Sequence, residues 1–82
     1  MLEILKGSSK TIGIKQTLKA VELGKAKTVF IADDAEEKVV AGLRELCLAG
    51  SVEIISAESM KALGKACGID VGAAAVGVLK DA

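Results

Sequence analysis

What most constrains this chain is a regular alternation of short apolar runs with amphipathic segments that end in glycine. Lys27-Thr28-Val29-Phe30-Ile31-Ala32, Val52-Glu53-Ile54-Ile55-Ser56 and Ala73-Ala74-Ala75-Val76-Gly77-Val78-Leu79 read as strands. The first is mostly apolar and is therefore expected to be covered on both faces. Helical spacing fills the intervals. One helix runs from Ile14 to Leu23 and stops at Gly24; a second opens on the capping-box pattern Asp34–Glu37 and ends at Gly50; Ser56 can cap a third that carries Met60 and Leu63. The second helix is expected to bury Val39, Val40, Leu43, Leu46 and Cys47. Upstream, Leu2, Ile4 and Leu5 fit a short N-terminal helix broken by Gly7-Ser8-Ser9, and Thr11-Ile12 a short strand. Strands alternating with helices imply βαβ crossovers and helices on both faces of the sheet. The expected fold class is α/β: a single domain over residues 1–82, a three-layer α/β/α sandwich with a small mixed β-sheet.

Eighty-two residues lie near the lower limit for a self-sufficient core, but 51% of them are apolar, which excludes a disordered chain. Phe30 is the only aromatic residue, so the core must be aliphatic. The same fact argues against nucleic-acid binders that stack bases on aromatic rings. Formal net charge is zero, yet the charges are segregated. Residues 1–30 hold six lysines against Glu3 and Glu22, a balance of +4, and residues 31–59 have a balance of −5. A local anion-binding patch on a neutral protein is compatible with that asymmetry. Met1-Leu2-Glu3-Ile4-Leu5-Lys6 lacks a basic leader with a long apolar run, and the cytosol is the expected location.

Reactive groups are scarce. Histidine is absent, which removes the usual general base and the constellations built on it. Asp33-Asp34 at a strand end is the best catalytic pair, but capping explains Asp34 and the acids and lysine of a phosphotransfer site have no room elsewhere. Gly64-Lys65 fails as a phosphate-binding loop, because Ser59 and Ala66 stand where glycine and Ser/Thr are required. Cys47 and Cys67 have neither CxxC spacing nor histidine company and read as buried reduced thiols. No catalytic residue, metal or cofactor is expected.

Two stretches stand out instead. Gly13-Ile14-Lys15-Gln16-Thr17-Leu18-Lys19 puts a glycine at the mouth of a helix. At about 100° per residue, Ile14, Leu18 and Val21 form an apolar stripe, and Lys15, Gln16 and Lys19 fall on the opposite side. Unpaired N–H groups and partial positive charge at a helix N-terminus suit phosphates and base edges. Gln16 can both donate and accept, whereas the lysines only donate. Leu63-Gly64-Lys65-Ala66-Cys67-Gly68-Ile69-Asp70-Val71 ends a helix in glycine and projects a loop with β-branched residues flanking an acid. Together they look like an RNA clamp: a polar helix end to read bases and an apolar loop to cover an unstacked one. A solvated face and a plain connector are the simpler readings of each stretch taken alone.

Over nearly its whole length the chain resembles the kink-turn-binding ribosomal proteins of the large subunit, the seven-Ae and thirty-e group. It looks most like their small bacterial ribosomal-protein-like members. The resemblance rests on residues 13–20, on Gly24-Lys25-Ala26-Lys27 leading into a strand that ends Ala32-Asp33-Asp34, and on residues 63–68. It implies a non-catalytic protein that binds RNA bent at a bulge beside tandem sheared G·A pairs; the short chain and the absence of a long exposed apolar stripe favour a monomer. Ribosomal RNA, a riboswitch leader and another structured RNA are all compatible partners, and no membrane is implied. By the same resemblance, Gly13 and Ile14 form the close approach, and Lys15 and Gln16 contact the guanines. Lys19 would hold phosphate or base edges, Ile69, Asp70 and Val71 would pack on the bulge, and Lys65, then Lys10, are weaker phosphate contacts. Many relatives carry arginine where Gly72 stands, and many archaeal ones Asn-Glu where Lys15-Gln16 stand. The alternative function on the same scaffold is a protein-interaction module using the acidic segment 33–58 and the apolar loop 69–72.

Overall fold

The segment Ala26–Ala32 is buried at every position except Lys27, as a strand covered on both faces must be. In the computed structural model, which describes Leu5 and residues 9–80, this strand is β2. The order is β1 (Lys10–Ile12), α1 (Ile14–Glu22), β2 (Ala26–Ala32), α2 (Glu37–Ala49), β3 (Glu53–Ala57), α3 (Met60–Ala66) and β4 (Ala75–Leu79). The expected N-terminal helix lies outside the described residues except for Leu5, which is fully buried.

The sheet order is β1-β4-β2-β3. β2 pairs in parallel with β3, and β4 runs antiparallel to both β2 and β1. Thus β1, β2 and β3 point one way and β4 alone points back. The units β1-α1-β2 and β2-α2-β3 step across the sheet in the same direction, so crossovers of one hand lay α1 and α2 on one face. Alternation along β2 separates two cores. Val29 and Ile31 pack with Ala20, Val21, Val40, Leu43 and Cys47. Phe30 and Ala32 pack on the other face with Leu5, Leu63, Val76 and Val78. The result is the expected three-layer α/β/α sandwich on a mixed sheet.

The three described α-helices end in the same way. Lys25 N–H bonds to Ala20 C=O, Val52 to Cys47 and Ile69 to Gly64, each with a companion bond from the preceding residue. These are Schellman motifs, with Gly24 (φ 71°), Ser51 (φ 56°) and Gly68 (φ 78°) in the left-handed position. Gly50 is therefore the C-cap of α2, and Ser51 makes the left-handed turn.

Several sequence expectations need correction. Asp34 does not cap α2, whose N-cap is Glu36 without a side-chain bond. Its Oδ1 instead accepts the Met60 N–H at 2.7 Å, at the start of α3. Ser56 does not cap α3 either: the strand continues to Ala57 because Ala57 pairs with Ala32. Ser59 is the cap, accepting Ala62 N–H at 3.0 Å. Val39 is 46% exposed, since the buried arc of α2 centres on Val40, Leu43 and Cys47. β4 begins at Ala75, two residues late, because Ala73 N–H is committed to the Met60 carbonyl. Cys67 is only half-buried, lying at the exposed end of α3.

Candidate functional site

Strand direction gathers the site. The C-terminal ends of β1, β2 and β3 and the N-terminal end of β4 share one rim, the usual place for ligands in sheets of this kind. Gly13, Asp33-Asp34 and the chain leading into β4 therefore lie along a single edge.

At one side of that rim is the mouth of α1. Gly13 is its N-cap with φ 98° and ψ 163°, a conformation that favours glycine, and it makes no side-chain cap bond. Its N–H donates to the Ala75 carbonyl at 2.9 Å, and its own carbonyl accepts Thr17 N–H at 3.1 Å. The N–H groups of Ile14, Lys15 and Gln16 precede the first intrahelical donor and have no partner within the helix. Lys15, Gln16 and Lys19 are all exposed, and Ile14 packs half-buried against the core.

The rotation of α1 differs slightly from its expected stripe. Thr17, Ala20 and Val21 are the buried positions, while Leu18, like Ile14, is only half-buried. Thr17 is fully buried and its hydroxyl meets that of Thr11 on β1 at 3.0 Å. Beneath them lies Gly77 of β4, where a Cβ would come within 2.7 Å of Thr11 Oγ1 and 3.2 Å of Thr17 Cγ2. This polar contact over a bare backbone fixes which face of α1 looks outward. A count of apolar residues alone misses Thr17, although it sits three residues after Ile14 and four before Val21, on the stripe itself.

On the other side of the β4 entry is the loop 69–72. Gly68 turns the chain back so that it runs along α3 towards the helix start. The Val71 backbone lies directly on Gly64, where a Cβ would overlap the Val71 carbonyl oxygen. One helical turn earlier, a Cβ on Gly72 would meet Met60 Cβ at 3.1 Å and Met60 O at 3.3 Å. Ala73 N–H then bonds to Met60 C=O at 3.0 Å. Two missing side chains thus let the loop lie flat on the helix, and an arginine at position 72 would require Met60 to give way by a few tenths of an ångström. Ile69 is half-buried, whereas Val71 is 69% exposed and Asp70 points to solvent beside it. Neither contact is legible in the sequence; for Gly64 the one local signal is a glycine inside a short helix.

Lys65 belongs with the loop. It lines a concavity of about 300 Å3 with Lys61, Ile69, Asp70, Val71 and Gly72. It also lines one of about 200 Å3 with Leu5, Lys10, Ala66, Cys67 and Gly68, which brings Lys10 to the same side. Burial raises both thiols above the ordinary cysteine range, opposed by Arg44 at Cys47 and Lys10 at Cys67. They are poor nucleophiles as a result. Among the described residues no helix is long and apolar enough to cross a membrane.

Comparison with known proteins agrees with the fold. Residues 4–82 match the model of the Ribosomal protein L7Ae/L30e/S12e/Gadd45 family. An RNA-binding protein of Caldanaerobacter subterraneus subsp. tengcongensis is 51% identical over 65 residues, covering 79% of each chain. One from Halalkalibacterium halodurans is 52% identical over 69 residues, covering 84% of each. Among solved structures, the Giardia lamblia 15.5kD RNA binding protein superposes with a TM-score of 0.91 at 30% identity, over 98% of this chain and 71% of that one.

Proposed function

The chain belongs to the L7Ae/L30e/S12e/Gadd45 family, and from that premise we propose that it is a non-catalytic RNA-binding protein that recognises kink-turns and holds them bent. The observation that carries this reading is the uncapped mouth of α1, with Lys15, Gln16 and Lys19 exposed around it, on the same rim as the exposed Val71. Residues 1–82 act as one RNA-binding domain, a cytoplasmic monomer related to the ribosome.

The chemistry follows from donor and acceptor types. A regular RNA helix hides its deep major groove, and a sharp bend opens it to a helix end. Gly13 lets backbone approach backbone, and the free N–H groups of the first turn meet electron-rich atoms. Lys15 donates to guanine O6 and N7, and Gln16 donates and accepts at a base edge. Lys19 takes a phosphate or base edge. Across the rim, Val71 covers the unstacked nucleotide of the bulge. Ile69 supports it from a half-buried position, and Asp70 accepts from an amino group or 2′-hydroxyl. Lys65 and Lys10 hold phosphate beside the loop.

Thermal denaturation with RNA tests the reading. A ligand bound only to the folded state at a hundred times its Kd adds about 2.7 kcal/mol, which raises the Tm of a domain this size by roughly 10 °C or more. The expected result is that rise with a kink-turn RNA and little change with a plain duplex of equal length. An equal small shift with both, abolished by salt, would contradict shape-selective binding and favour a surface meant for a protein partner.

A further inference from the structure

The outward face of α1 continues past Lys19. Gln16 and Lys19 form one wall of a groove of about 150 Å3, floored by Ala20, Leu23 and Leu79 and closed by Thr11 and Lys25. Leu23 is 57% exposed there, although it closes a helix whose other apolar residues are covered or half-covered. Lys25 is held in place by its backbone: its N–H bonds to Ala20 C=O at 2.9 Å and its carbonyl accepts Lys80 N–H at 2.8 Å. Two residues on, the register of β2 against β4 slips between Ala26 and Thr28. Lys27 is therefore bulged out, exposed between two buried neighbours. Lys27 does not itself line the groove; it lies two residues along the chain from Lys25, which does, and extends the basic edge beyond it. Among the described residues Lys19, Lys25 and Lys27 make no ion pair, unlike Lys38 with Glu36 and Arg44 with Glu37.

We propose that this groove is a second RNA subsite, which holds the sugar–phosphate backbone of a stem flanking the bend. The inference rests on the RNA-binding reading above and extends its footprint to the far end of α1. The chemistry of the groove matches alternating phosphate and ribose: unpaired ammonium groups along the sides, an apolar floor for sugar C–H surface, and a glutamine that can meet a 2′-hydroxyl. Gln16 and Lys19 belong both to the helix mouth and to this groove, so a strand engaged at the first continues into the second without a gap. An acidic peptide would satisfy the lysines but would leave that continuity without a purpose.

The test is a set of salt titrations with the full chain. The RNAs are a kink-turn with long arms, the same kink-turn with each arm cut short in turn, and a long-armed control lacking the sheared pairs. For the double variant Lys25→Gln, Lys27→Gln, affinity for the long-armed kink-turn should fall roughly tenfold at low salt. The salt slope should drop by about 1.5, from about 0.7–0.9 per lost phosphate contact. Binding to the control, which does not seat at the helix mouth, should change less, so preference for the kink-turn falls along with its affinity. With one arm cut short, variant and wild type should converge. Leu23→Ser should weaken long-armed binding several-fold with no change in slope, which a purely electrostatic patch would not show. Wild-type affinity and slope in the double variant would overturn the inference, as would an equal loss on all arm lengths. Wild-type protein without preference for the kink-turn would overturn the underlying reading and this inference with it. Preference without any dependence on arm length would overturn the inference alone.

Discussion

Helix α1 presents Lys15, Gln16 and Lys19 from a regular element whose inner side is fixed by apolar packing and one part-buried hydroxyl pair. The loop 69–72 has no regular structure and is seated by contacts that only absent side chains permit, at Gly64 and Gly72. The first region is specified by what its residues add; the second by what they leave out. Sensitivity to substitution should differ accordingly. In the helix, outward residues can be changed without disturbing the fold, so effects on binding and stability separate. In the loop, the seat and the surface are the same few atoms, so the two effects travel together.

The largest effect expected is at the loop seat. Gly64→Ala places a Cβ against the Val71 carbonyl, which no flexible side chain can relieve. Overpacking of this kind costs about 1–3 kcal/mol, or roughly 4–8 °C of Tm per kcal/mol in a domain this size. Kink-turn affinity should fall in the same variant. A Gly64→Ala protein that melts and binds like wild type would break the comparison.

Gln16→Ala is the counterpart on the helix. Thermal stability should be unchanged, while the ratio of kink-turn to duplex binding falls by a factor corresponding to about 1–3 kcal/mol, the worth of one good base contact. Matched Kd measurements on the two RNAs read that ratio directly, and an unchanged ratio would remove Gln16 from base recognition.

Thr17→Val is intermediate between the two kinds. It removes a buried hydroxyl while keeping shape, and leaves Thr11 Oγ1 without its partner. A loss of about 1 kcal/mol is expected in urea denaturation, with a smaller loss in RNA affinity because the outward face of α1 is less firmly set. Loss of affinity without loss of stability would place Thr17 in direct contact with RNA, contrary to its full burial.

The smallest effect concerns the cysteines. Burial raises both thiols in the folded state, so the folded protein holds its thiol protons to higher pH than the unfolded chain. Stability should be insensitive to these groups below the ordinary thiol value of about 8.5 and should decline as the pH rises beyond it. Thiol labelling at neutral pH should be slow in the native protein and fast in denaturant; rapid native labelling of Cys67 would show that its end of α3 opens readily.

The same contrast explains what could be read from the sequence. Periodicity located α1, β2 and the outward position of Lys15, Gln16 and Lys19, because solvent and core impose it residue by residue. Gly24 and Gly68 marked helix ends because left-handed turns favour glycine. Long-range hydrogen bonding was not legible: nothing local to Asp34 shows that its carboxylate serves Met60 rather than its own helix. Close approach was legible at Gly77, because a strand of alanines and one glycine lets a helix pack closely, as α1 does through Thr17, but not at Gly64, which is explained only by the Val71 backbone opposite it. The register slip that frees Lys27 depends on pairing with a strand fifty residues away.

The central claim is that a helix mouth and a flat-seated loop on one rim hold RNA in its bent form. The most direct measurement is energy transfer between donor and acceptor dyes on the two arms of a kink-turn RNA, titrated with the protein in magnesium-free buffer. The account predicts a saturable rise in transfer for the kink-turn and none when Watson–Crick pairs replace the sheared G·A pairs. Binding without a rise in transfer, or an equal response from both RNAs, would contradict it.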